Sequence, residues 1–98
     1  MKQQIVLFGT GAIATIVHFY LTHDSRFEVA AFTADRTHIT DDAFLGLPVV
    51  PFDEVTNRYP PDEFTMFIAI GYSRMNKVRE ACYHRAKEAG YDLATFVS

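Results

Sequence analysis

Apolar and polar positions change period along this chain in blocks that read in turn as strands and helices. Residues 4–8, Gln-Ile-Val-Leu-Phe, are a nearly continuous apolar run, the pattern of a strand buried on both faces. From Ala12 to about Thr22 the period becomes helical. Ile13, Ile16, Val17, Tyr20 and Leu21 predict one apolar helix face, ending near His23-Asp24-Ser25. Phe27 to Thr33 predicts a second strand, and residues 34–45, rich in Asp and Thr, a loop. Gly46 to Pro51 predicts a short extended piece whose prolines favour an edge or irregular strand. Phe52 to Val55 opens a brief helix, and Tyr59-Pro60-Pro61-Asp62 breaks it.

Thr65 to Ile70 predicts another buried strand, closed by Gly71. The best helical pattern follows from Arg74 to Ala89, with Met75, Val78, Ala81, Cys82 and Ala86 as its apolar stripe. Ser73 stands at its N-cap and Gly90 where a left-handed residue ends a helix. Asp92 to Val97 predicts a last strand. Alternating strands and helices with buried apolar strands imply a mainly parallel sheet joined by right-handed crossovers. The fold class is therefore α/β, a small Rossmann-like domain with flanking helices.

Composition narrows the function classes. The chain has 98 residues, a length for one domain, and its 49 % hydrophobic content suffices for one modest core. A net charge of −3 provides no global basic field, so duplex nucleic acid is not an expected partner. No apolar run approaches the roughly 20 residues of a membrane span. Met1-Lys2-Gln3-Gln4 runs directly into a strand with no signal-peptide pattern, and the single cysteine, Cys82, excludes an internal disulfide. A cytoplasmic location is expected.

Parallel α/β sheets bind ligands beyond the carboxyl ends of their strands, where strand order reverses. Three loops fall there: Gly9 to Ala12, Thr33 to Arg36, and Gly71 to Asn76. In the first, Gly9 permits the turn and Gly11 lets backbone N–H groups approach a phosphate. Thr10 lies between them, Ala12 opens the helix, and Ala14 stands at the position of the motif's third glycine. The alternative is that these glycines only make the turn. Asp35, 24 residues after Gly11, is placed for a ribose hydroxyl or is a solvated loop acid, and Arg36 meets a phosphate or a base or is likewise solvated. In the third loop Arg74, Lys77 and Arg79 crowd a helix start, where cations oppose the helix dipole and a bound anion would relieve them. Tyr72 and Ser73 stand at its mouth, to meet a base or sugar or to pack on the sheet rim. The candidate substrate-binding residues are thus Gly9, Thr10, Gly11, Ala12, Asp35, Arg36, Gly71, Tyr72, Ser73, Arg74, Asn76 and Arg79.

No catalytic constellation and no metal-ligand spacing is present. His18 and His23 do not share a helix face, and His38 and His84 fall on a loop and an exposed helix side. Cys82 belongs to an apolar stripe, and Asp41-Asp42 and Asp53-Glu54 read as solvated faces.

Three segments carry a family resemblance: Ile5-Val6-Leu7-Phe8-Gly9-Thr10-Gly11-Ala12, Leu45-Gly46-Leu47-Pro48-Val49, and most specifically Phe67 to Arg79, with its Gly-Tyr-Ser-Arg-Met-Asn-Lys-Val-Arg run. Together with Lys87 to Ser98 they resemble the N-terminal domain of bacterial hexapeptide-repeat sugar N- and O-acyltransferases, the relatives of bacillosamine acetyltransferase and sialic acid O-acetyltransferases. The resemblance implies that residues 1–98 form a nucleotide-sugar-binding domain, with the glycine loop at the pyrophosphate and the acid after strand two at the nucleoside. It also implies a following left-handed β-helix that trimerises, takes acetyl coenzyme A as acyl donor and carries a histidine base. That domain is not in this sequence, so the chain is expected to bind substrate without catalysing transfer, as a monomer or weak dimer with no cofactor of its own. The competing readings are a small NAD(P)-binding module, in which Asp35 favours NAD and Arg36 a 2′-phosphate, and a non-enzymatic regulatory or interaction domain.

Overall fold

The computed structural model describes residues 3–24, 26–69 and 76–93, with residues 76–79 described by backbone alone. The strands are β1 (Gln3–Phe8), β2 (Phe27–Ala34), β3 (Ala43–Phe44), β4 (Leu47–Pro51) and β5 (Thr65–Ile68). The helices are α1 (Ala12–Thr22), α2 (Phe52–Arg58) and α3 (Asn76–Glu88). The sheet order is β3-β4-β2-β1-β5, with every pair parallel except β3–β4. The chain moves outward from β1 through β2 to β4, then returns to the other side of β1 for β5. Strand order therefore reverses between β1 and β5, and the carboxyl edge at that point is where this architecture binds ligands.

β1 is the centre because both of its faces are apolar: Ile5, Val6 and Leu7 are fully buried and Phe8 nearly so. Ile5 and Leu7 join Val29, Phe32 and Val49 beneath Ala14, Val17 and Leu21 of α1. Val6 and Phe8 face the opposite way, with Val50, Met66 and Ile68 against Val55, Cys82 and Ala86 of α2 and α3. The buried Thr33 hydroxyl is satisfied by donating to the Val50 carbonyl at 2.7 Å.

The sequence pattern misses several details. In α1, which carries no charged residue, Ile13, Ile16 and Tyr20 are 40, 51 and 51 % exposed instead of facing the core. Apart from the polar row of Thr15, His18 and Thr22, the helix is apolar enough to offer overlapping stripes, and the sheet selects the one that includes the small Ala14. Ala81, assigned to the stripe of α3, is exposed, whereas Cys82 and Ala86 are buried. The expected loop at 34–45 contains a 3-10 turn, Arg36–His38, and strand β3. Because β3 pairs with it, β4 is not an edge strand despite Pro48 and Pro51. The brief helix at Phe52 runs on to Arg58. Of the last strand, Leu93 makes a parallel bridge to Met66, and residues 94–97 lie outside the described residues.

α3 ends as its sequence predicts, with Gly90 at φ +98° and its N–H donating to the Lys87 carbonyl at 3.0 Å. The next side chain, Tyr91, is 1 % exposed, and its hydroxyl donates to the Tyr59 carbonyl, tying the end of α3 to the end of α2. Burial pushes its phenol up to about 12. The unfolded-state value is about 10, so the stabilisation from the protonated phenol is complete below that pH and is lost between about 10 and 12. Urea unfolding followed from pH 8 to 12 is expected to show this decline. Tyr91→Phe should be less stable at neutral pH by about 1 kcal/mol, the worth of one hydrogen bond, and should decline less steeply in alkali.

Candidate functional site at the carboxyl edge

The glycine turn begins where β1 stops. Gly9 has φ +131°, a region that L side chains rarely adopt, and its N–H donates to the Thr33 carbonyl of β2 at 2.8 Å. Gly9 therefore contributes the turn, and its amide is committed to the sheet rather than presented to a ligand. Two residues on, Gly11 is the N-cap of α1 with φ −96° and ψ −161°. No side chain caps this helix, and no acid stands in its first turn. The Thr15 hydroxyl bonds back to the Gly11 carbonyl at 3.2 Å, which leaves the leading amides untouched. A helix start has N–H groups with no carbonyl one turn behind them, and the peptide dipoles add partial positive charge. A Cβ placed on Gly11 would meet nothing within 4 Å, so the turn opens outward at that residue.

Asp35 follows β2 directly, two residues beyond the carbonyl that receives Gly9, so the turn and the acid share one stretch of edge. Its carboxylate is not simply solvated. Arg85 of α3 donates from Nη2 to Asp35 Oδ1 at 2.7 Å, and both side chains are 39 % exposed. The Arg85 guanidinium also lies over the rings of Phe52, at 4.6 Å, and Phe8, at 5.7 Å. The hydrogen bond from Arg85 holds the Asp35 carboxyl below the usual carboxylate range, against partial burial, which acts the other way.

Arg36 turns elsewhere. Its Nη2 reaches Glu54 Oε2 at 2.6 Å and Asp53 Oδ1 at 3.1 Å, pinning the 3-10 turn to the first turn of α2. Asp53, exposed, and Glu54, half-buried, are acids with a partner, placed where the α2 dipole favours negative charge. On the α1 side of the edge a cavity of about 170 Å³ is lined by Thr10, His38, Thr40, Asp41 and Phe44.

The structure thus brings together Thr10, Gly11, Ala12 and Asp35 along one edge and engages Arg36 with α2 instead. Gly71, Tyr72, Ser73 and Arg74 lie outside the described residues, as do the side chains of Asn76 and Arg79. Sequence reasoning missed Arg85 and the cavity. The signal for Arg85 was a cation between Cys82 and Ala86, on the margin of an apolar stripe; the cavity depends on the hairpin of β3 and β4 and left no local signal. Among the described residues no cluster of His, Cys, Asp or Glu has the geometry to hold a metal ion, and no helix is long and apolar enough to cross a membrane.

Comparison with known proteins adds a family and a fold. A family model described as the PglD N-terminal domain matches residues 4–86. A search of curated protein sequences returned no match. The acetyltransferase domain of PglB from Neisseria gonorrhoeae, solved with acetyl coenzyme A, superposes with a TM-score of 0.68 at 18 % identity, over 93 % of this chain and 42 % of that one. The methyltransferase FkbM from Methylobacillus flagellatus gives 0.71 at 18 % identity, over 96 % of this chain and 24 % of its own. The Rex-family repressor RSP in complex with β-NADH gives 0.66 at 10 % identity, over 99 % and 48 %. At these identities the likeness establishes the Rossmann-like fold alone, and this chain spans less than half the length of each of these structures.

The two glycines of the turn should respond oppositely to an added side chain. Gly9→Val forces a β-branched residue to φ +131° and is expected to lower stability by at least about 1–3 kcal/mol. Gly11→Ala, with ordinary φ and open space, should change it by less than about 1 kcal/mol. Thermal unfolding by circular dichroism separates the two, and equal losses would contradict the distinction.

Proposed function

The chain belongs to the PglD N-terminal domain family, a sugar acetyltransferase-related domain, and from that membership we propose that it holds the nucleotide-linked sugar on which such an enzyme acts. The observation that carries the proposal is the start of α1: uncapped, without an acid in its first turn, behind a glycine turn that opens outward at Gly11. Anion binding satisfies those amides and complements the dipole. The amides of Thr10, Gly11 and Ala12 receive the pyrophosphate, and the Thr10 hydroxyl is a further donor. Asp35 receives a ribose hydroxyl of the same nucleotide. With a net charge of −3 on the chain, the phosphate is held by these local dipoles and not by a general positive field.

The domain supplies binding and orientation of the acyl acceptor. Acetyl coenzyme A and the catalytic base belong to a further domain of the kind the family resemblance implies, a trimeric left-handed β-helix. In that setting the protein serves sugar biosynthesis for surface polysaccharide or glycan in the cytoplasm. A dinucleotide would use the same turn and acid, and RSP, which shares the fold, was solved with β-NADH; NADH is therefore the ligand to test against.

Calorimetric titration with UDP-, dTDP- and GDP-linked sugars is expected to give saturable heat with at least one of them and none with NADH. Gly11→Val should abolish that heat while the domain stays folded, because the valine side chain enters the space a phosphate needs. Absence of binding to every nucleotide sugar would sink the proposal. Enhanced NADH fluorescence would move the site to the dinucleotide reading, and wild-type affinity in Gly11→Val would leave the turn a purely structural one.

A further inference from the structure

Arg85 has no place in the glycine-turn motif, yet it is the described cation that contacts Asp35. It is held from several sides. Cys82 and Ala86, adjoining it on α3, are buried against the sheet, and the guanidinium lies on Phe52 and Phe8. A guanidinium anchored in this way fixes the carboxylate it touches. Among the described residues a side-chain donor reaches Asp35 Oδ1 and none reaches Oδ2. The Asp35 side chain is 39 % exposed at the same edge that carries the glycine turn, and its second oxygen has no donor among the described residues. Arg36, the neighbouring cation, is drawn to Asp53 and Glu54 and does not compete for it.

We propose that Arg85 is a positioning residue that fixes the Asp35 carboxylate to accept the ribose 2′-hydroxyl, and that this pair makes the site select ribonucleotides over 2′-deoxyribonucleotides. The inference rests on the nucleotide-binding reading above and adds the residue and the selectivity. A carboxylate with one oxygen held by Arg85 offers the other as a directed, charged acceptor. A deoxyribose leaves that acceptor unpaired in a partly desolvated site, and sites built to bind a hydroxyl reject analogues that lack it. A charge-assisted hydrogen bond at this exposure corresponds to a preference of about ten-fold or more.

The test compares uridine and guanosine 5′-diphosphates with their 2′-deoxy counterparts by calorimetry. The wild-type chain should prefer the ribose form about ten-fold. Arg85→Met, checked for folding by circular dichroism, should bring the ratio close to one, as should Asp35→Ala. The double variant should lose no further selectivity, and Arg85→Lys, which keeps a cation on the same helix, should retain part of it. A purely structural Arg85 would weaken both forms equally and leave the ratio unchanged, and that result overturns the inference. Equal wild-type binding of ribose and deoxyribose forms overturns it while sparing the binding site itself. No binding of either form by the wild type overturns both readings together.

Discussion

The hydrogen bond from the Gly9 amide to the Thr33 carbonyl is the contact on which the carboxyl edge depends. It carries the β1–β2 ladder one residue beyond the end of β1, and Gly9 accommodates it by taking a positive φ. The chain then turns sharply enough for α1 to begin at Ala12 and to lay Ala14, Val17 and Leu21 on the sheet it has just left. The same bond brings the turn to the end of β2, so that Asp35 lies along its edge. Behind it stands the two-sided burial of β1, which leaves the central strand no alternative position.

Charge at this edge is arranged by tertiary contacts rather than by local sequence. Asp35 and Arg36 are adjacent in the chain, but the first is held by α3 and the second by α2. The two elements that cover one face of the sheet thus each grip one end of the segment after β2. These pairs are screened by solvent and add little to stability. Their larger effect is geometric: Asp35 is held by Arg85, and Arg36 is drawn toward α2. The start of α1 is left as the natural place for negative charge, since neither a side-chain cap nor an acid occupies it.

Much of the fold was legible because a strand buried on both faces leaves an unbroken apolar run, as in Ile5 to Phe8. The helix that follows such a run, the glycine turn between them and the left-handed Gly90 are local signals, and they survive unchanged in the folded chain. Where local signals were ambiguous, packing chose. The uncharged α1 had several possible inward faces, and Ile13, Ile16 and Tyr20 went outward. The two-residue strand β3 has no pattern of its own and exists because β4 offers it an edge.

The sequence alone determined that the domain is α/β, that its sheet is mainly parallel, and that a glycine turn after β1 and an acid after β2 share one edge. Periodicity and backbone freedom are properties of neighbouring residues, which is why they can be read without coordinates. The tertiary structure decided which groups at that edge are committed and which are open. The Gly9 amide is spent on Thr33, Arg36 on Asp53 and Glu54, and one oxygen of Asp35 on Arg85, a residue 50 positions away. Each of those partners is brought up by the folding of the sheet, and no short-range pattern encodes a hydrogen bond across that span.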